Sequence, residues 1–120
     1  MKIKTSELTG IQLDWAVAVA EELDYACEMS EISGRLLYYA ENGEAHLYQP
    51  STDWSLAGPI IEREKIDVVA DPNGKNVWMG RAYTDQTEIR CYSPTALIAA
   101  MRCYVASKLG NEVEIPEELI

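Results

Sequence analysis

The chain has 120 residues, of which 20 are acidic and 10 basic, giving a net charge of −10. That length suits one domain over residues 1–120, large enough to bury a core without staples. The acidity excludes a broad nucleic-acid surface, because neutralising phosphates takes Lys and Arg. It leaves open a protein that imitates the charge of DNA, although acidic surfaces also simply keep small proteins soluble. No apolar run reaches the roughly 18 residues needed to span a membrane. The opening MKIKTSEL lacks the apolar stretch of a secretion signal. The three cysteines, Cys27, Cys91 and Cys103, are far apart, and His46 is the only histidine, so no zinc pattern forms. Reduced thiols in a cytoplasmic protein are expected.

The first element is a helix from about Gly10 to Leu23. Thr9 and Gln12 have the spacing of a capping box, and Leu8 and Leu13 that of a hydrophobic staple. Ile11, Trp15, Ala18 and Val19 supply its apolar face. Glu21, Glu22 and Asp24 crowd the C-terminal end, against the helix dipole. Residues Tyr25 to Ser33 read mostly as loop. LLYYAENGEAHLY then forms a hairpin, with Asn42-Gly43 signalling a type I′ turn. Pro50 ends its second strand, Ser51 or Thr52 caps a helix entered through Asp53 and Trp54, and Gly58-Pro59 kinks or divides that helix. Ile60 and Ile61 face inward. IDVVA (66–70) reads as a buried strand and DPNG (71–74) as a turn. Val77 to Thr84 and Thr87 to Tyr92 form a second hairpin around Asp85-Gln86. The last helix has Ser93 as N-cap, Pro94 at its first position and Gly110 past its end. ALIAAMRCYVASKL is apolar nearly all round, with Thr95, Ala99, Arg102 and Ala106 as its one narrow, small or polar stripe. Such a helix is sandwiched deeply or shared with a second subunit. The acidic tail NEVEIPEELI lies across the surface. The fold class is α+β, a small, mainly antiparallel sheet covered by helices.

A two-residue turn in the second hairpin places Arg81 opposite Arg90, with Met79 and Tyr83 on that face of one strand and Glu88 and Tyr92 on the other. Like charges directly opposite are unfavourable in a sheet, so the pair suggests an anion between them, with Tyr83 and Tyr92 suited to a base or ribose. The alternative is that Glu88 neutralises both arginines on a wet face. The helix start at Ser51, Thr52 and Asp53 offers free N–H groups to an anion, although the Asp53 carboxylate competes for them. Trp54 and Trp78 could stack on a ligand or belong to the core. For catalysis, His46 with Ser51 and Asp53 makes no recognisable arrangement, and nucleophile-elbow, P-loop and dinucleotide motifs are missing. The chain reads as a non-enzyme without cofactor or metal.

MKIKTSELTG with LDWAVA, then YQPSTDW, GPIIERE and TALIAAMRCYVASKLGNEVEIPEEL, closely resemble the NinX-like family of small accessory proteins of tailed phages and prophages. The resemblance covers both ends and the centre, while 67–92 looks shorter and more divergent. The order of elements is also similar to phage domains described as α/β/α sandwiches. The resemblance implies a phage protein acting in the cytoplasm of the infected bacterium, dispensable for virion assembly, and it carries no activity. The reading that joins setting and residues is a counter-defence protein that sequesters a small anionic, nucleotide-derived host signal. Its candidate residues are Tyr48, Ser51, Thr52, Asp53, Trp54, Trp78, Arg81, Tyr83, Arg90 and Tyr92. The alternatives are an acidic inhibitor, a DNA mimic, aimed at a host nuclease or restriction factor, and a non-catalytic regulator of phage replication. A homodimer through the last helix is a further expectation.

Overall fold

In the computed structural model, the structure describes residues 1–23, 28–29, 34–39, 42–73 and 77–120. In chain order the elements are β1 (Lys2–Lys4), α1 (Gly10–Ala20), β2 (Glu28–Met29), β3 (Leu36–Tyr39), β4 (Ala45–Leu47) and α2 (Trp54–Glu64), followed by β5 (Asp67–Ala70), β6 (Trp78–Tyr83), β7 (Glu88–Ser93), α3 (Ala96–Leu109) and β8 (Glu112–Glu114). All strand pairing is antiparallel, in sheets ordered β1-β8, β2-β3-β4 and β5-β6-β7. The class is α+β, as the sequence indicates.

Helix α3 occupies the centre. Leu97, Ala100, Met101, Cys103, Tyr104 and Val105 are buried, and they belong to one core with Leu13, Ala16 and Val17 of α1 and Ala57 and Ile60 of α2. The β5-β6-β7 sheet covers the opposite side of α3. A helix without a polar face has to be covered in this way, and the apolar surface that suggested a shared helix is satisfied within the chain. The small stripe is what allows close contact. Gly80 of β6 faces Ala99 so closely that a β-carbon there would lie 2.5 Å from the Ala99 carbonyl oxygen. Arg102, on the same stripe, donates to the carbonyls of Leu8 and Tyr92 at 2.7 and 2.9 Å, tying α3 to the start of α1 and the end of β7.

Several local expectations need correction. Thr9 is the N-cap of α1, but its side chain makes no capping bond, and Gln12 donates to the Leu119 carbonyl instead. The buried face of α1 is Leu13, Asp14, Ala16, Val17 and Ala18, whereas Val19 is exposed. With apolar residues on every side of this helix, periodicity does not choose a face, and Asp14 turns inward. The first hairpin pairs Leu37 with Leu47 and Tyr39 with Ala45, which leaves an odd number of residues between the strands. A two-residue type I′ turn does not fit that register; Gly43 takes a positive φ and Glu44 N–H bonds the Asn42 side chain. Asp53, not Ser51 or Thr52, caps α2, accepting from Ser55 N–H and Oγ at 2.9 and 2.6 Å.

Gly58-Pro59 neither divides nor ends α2, which runs through to Glu64. Proline clashes with the β-carbon of the residue before it, and Gly58 has none. The strand at 67–70 is an edge strand with Val69 exposed, not a buried one. Ser93 ends β7 rather than capping α3. Thr95 is the N-cap, and the Ser93 hydroxyl accepts from Thr95 N–H. Of the 25–33 loop expectation, Glu28–Met29 form the short β2 against β3, and the remainder lies outside the described residues. The tail is a strand: β8 pairs with β1, burying Val113 and Ile115 and placing Glu112 and Glu114 opposite Lys4 and Lys2.

Two helices end on a left-handed residue that is not glycine, Glu22 after α1 (φ 56°) and Lys65 after α2 (φ 55°). Each completes a pair of C-terminal bonds, from Leu23 and Glu22 N–H to the Ala18 and Val19 carbonyls, and from Ile66 and Lys65 N–H to those of Ile61 and Glu62. Left-handed backbone costs a side-chain-bearing residue about 1–2 kcal/mol, partly offset by the greater chain entropy lost by glycine. Lys65→Gly should therefore raise stability by about 0.5–1 kcal/mol, while Gly80→Ala should lower it by about 2–3 kcal/mol through overpacking. Urea unfolding checks both, and a neutral Gly80→Ala would remove the close-approach argument.

Candidate functional site

The corner between β4 and α2 is assembled by backbone bonds. Tyr48 N–H reaches the Leu36 carbonyl at 2.8 Å, and the Gln49 carbonyl accepts from Thr52 and Asp53 N–H at 3.0 and 2.8 Å. The Tyr48 ring is buried edge-on against Tyr38. Ser51 is also buried, and its N–H donates to Asp14 Oδ1 at 2.8 Å. Asp14 is only 5% exposed. Burial raises its pKa to about 6, against the smaller opposing effect of the bonds from Ser51. Sequence reading gave Asp14 no role, because an acid in a helix passes for a solvent-facing residue.

Above this clamp, Ser51, Thr52 and Trp54 line a cavity of about 290 Å³ with Thr95, Ala96, Leu97 and Ile98. Trp54 is 56% exposed. The other wall is the first turn of α3, whose leading N–H groups have no partner within the helix. None of these lining residues is acidic, in a chain with 20 acidic side chains. Asp53 stands beside the cavity, its pKa lowered by the hydroxyl and N–H of Ser55.

The second candidate group lies on the β5-β6-β7 sheet. Arg81 does face Arg90, and Met79 faces Tyr92, in the register the sequence predicts. Gly80, Ala82, Cys91 and Ser93 are buried, whereas Tyr83 and Tyr92, on the alternate positions, are exposed. Arg81 does not present a free charge. Its Nε and Nη2 each lie 2.8 Å from Asp67 Oδ2, and its Nε lies 3.8 Å from Glu88 Oε1. Arg90 Nε lies 2.7 Å from Glu88 Oε2. Two arginines and two carboxylates thus alternate across the sheet, and the Arg81 guanidinium also sits 5.7 Å from the Tyr83 ring centre. Asp67 was missed; it stands opposite Arg81 across β5 and β6, a pairing that is legible only once their register is known.

The chosen residues therefore fall into separate groups. Ser51, Thr52 and Trp54 share the corner cavity, and Arg81, Tyr83, Arg90 and Tyr92 share the sheet face. Tyr48 lies beneath the corner, Asp53 caps α2, and Trp78 stands opposite Ser93 at the end of β6. His46 stacks on Tyr38 with Glu44 3.6 Å away, while the Asp53 carboxylate is taken up by Ser55. No three His, Cys, Asp or Glu side chains converge to hold a metal among the described residues. Nor, among those residues, is any helix long and apolar enough to cross a membrane.

The model of the family described as "Bacteriophage P22, NinX" matches residues 4–108, which include the divergent 67–92 segment and both candidate groups. The chain belongs to the NinX family. It is accordingly a phage accessory protein. No curated protein matches it. The matched region of this NinX-family chain contains Asp14, Ser51 and all of α3 but its last residue, Leu109, and it does not reach the β8 tail.

The Asp14–Ser51 clamp makes a pH prediction. A carboxyl whose pKa is raised by folding adds stability that is complete below its unfolded value, 3.8, and is lost as pH rises through about 6. The loss is about 2 kcal/mol between pH 4 and 7. Asn cannot ionise, so Asp14→Asn should improve relative to wild type by about that amount over the same range. Urea melts of both proteins at the two pH values test this, and a difference that does not change with pH would refute it.

Proposed function

We propose that this NinX-family protein is a non-catalytic accessory binding protein that acts against host defence in the bacterial cytoplasm, sequestering a small anionic, nucleotide-derived signal. The seat is the corner cavity rather than the arginine pair. The observation that carries this is the exposed Trp54 facing the N-terminal turn of α3 across a cavity with no acidic lining residue. An indole face accepts any base by stacking. Helix N–H groups without an intrahelical partner and the hydroxyls of Thr52 and Thr95 are suited to phosphate oxygens. The volume, about 290 Å³, falls at the lower end of ligand sites and suits one nucleotide unit.

A second reading is favoured by the sheet face. Exposed Val69, Tyr83 and Tyr92 beside charge-balanced arginines have the composition of a protein interface. That supports an inhibitor of a host protein through aromatic contacts more than through DNA mimicry. The acidic clusters carry less free charge than their sequence suggests: Glu21 pairs with Arg63, and Glu112 and Glu114 stand opposite lysines.

Calorimetric titration with mononucleotides and cyclic dinucleotides separates these readings. Trp54→Ala should weaken binding roughly ten- to hundredfold, the worth of about 1–3 kcal/mol per stacked base. Arg81→Ala with Arg90→Ala should leave it unchanged. The opposite pattern would move the seat to the sheet, and no binding of any nucleotide would favour the protein partner.

A further inference from the structure

Cys91 on β7 and Cys103 on α3 lie some way apart in sequence but meet where the sheet packs on the helix. Both are free thiols and both are buried. The Cys103 thiol donates to the carbonyl of Ile89, two residues before Cys91 on β7, at 3.1 Å, and Gly80, the cross-strand partner of Cys91, packs against Ala99, one turn before Cys103. Thiols placed on facing positions of a packed strand and helix need less backbone movement to join than distant cysteines would.

The pair is asymmetric, and only Cys91 borders a cavity. A cavity of about 240 Å³ between β7 and the segment after β1 is lined by Cys91, Lys4, Thr5 and Arg90. Its floor includes Ala106, one helical turn from Cys103. Next to Cys103 in the chain, Arg102 is half-buried, and its partners are the carbonyls of Leu8 and Tyr92 rather than a carboxylate. The Cys103 thiol and the Arg102 charge both favour a thiolate at Cys91, while the Cys91 side chain and burial hold Cys103 protonated. Thiolate character and access are what make a cysteine reactive.

We infer that Cys91 and Cys103 form a reversible dithiol–disulfide site, which takes a small-molecule disulfide such as oxidised glutathione as its oxidant. The Cys91 thiolate attacks one sulfur of that disulfide, the S–S bond breaks, and one small thiolate leaves. Cys103 then gives up its proton and attacks Cys91 Sγ, displacing the second small thiolate. The protein loses two electrons and two protons, and the small disulfide becomes two thiols. The new bond staples β7 to α3, constraining the unfolded chain and raising thermal stability.

The test is incubation of the native, unsubstituted protein with excess oxidised glutathione, followed by alkylation of the remaining thiols, peptide mapping without reductant and thermal melting. The expected result is a Cys91–Cys103 cross-linked peptide, a monomer lighter by two hydrogens before alkylation, and a higher melting temperature that reductant reverses. Cys103→Ser should instead stop at a single glutathione adduct on Cys91. A linkage through Cys27, a glutathione adduct that persists in the unsubstituted protein, or full alkylation of Cys91 and Cys103 after incubation would each overturn the inference. The unsubstituted chain decides the matter if the variant does not fold.

Discussion

At Gly80 the backbone of β6 approaches α3 so closely that a β-carbon would meet the Ala99 carbonyl at 2.5 Å, and the placing of sheet against helix follows from this contact. Helix α3 is apolar on nearly every side, so most of its surface has to be covered by other elements. The small residues on one side let the sheet settle on it, and α1 and α2 cover the other side. With the layers arranged in that order, the second face of the sheet is left partly open. Tyr83 and Tyr92 are left exposed, and the N-terminal turn of α3 emerges beside Trp54. Both candidate surfaces result from burying one helix.

Two buried polar groups fix how the surrounding segments attach. Arg102 bonds carbonyls on either side of α3, at the end of β7 and before α1. Asp14 bonds the Ser51 N–H from within α1. The second bond explains the concentration of turn-forming residues between Tyr48 and Glu64. Pro50 ends the extended run, Ser51 is anchored from beneath, and Asp53 starts α2. Gly58, without a β-carbon, removes one of the clashes that Pro59 makes inside α2. The segment is a corner held at an ionisable point, and its outer surface forms half of a cavity.

Much of this was legible in the residues. The Asp85-Gln86 hairpin and its register, with Arg81 opposite Arg90, follow from alternation and turn length. The apolar run of α3 and Gly110 past its end follow from composition and capping rules. What could not be read depends on contacts between distant segments. Asp14 looks like any helical surface acid until Ser51 is placed against it. Asp67 becomes the partner of Arg81 only when β5 pairs with β6. The cavity joins residues near 52 to residues near 96, which no local pattern links. Capping differed for several reasons: Thr9 stands at the N-cap of α1 without a side-chain bond, Ser51 is held by Asp14 while Asp53 caps α2, and the Ser93 hydroxyl bonds Thr95, the N-cap of α3.

The charge balance of the sheet arginines turns the ligand reading away from the most obvious basic pair and toward a cavity without acidic lining residues. That reading concerns what the protein carries in an infected cell, and it is tested there most directly. The measurement is native mass spectrometry of the protein purified from host cells with and without an active nucleotide-signalling defence. The account predicts a small bound mass, present only with the active defence, that is lost on denaturation and absorbs as a nucleotide. Ligand-free protein under both conditions would contradict it.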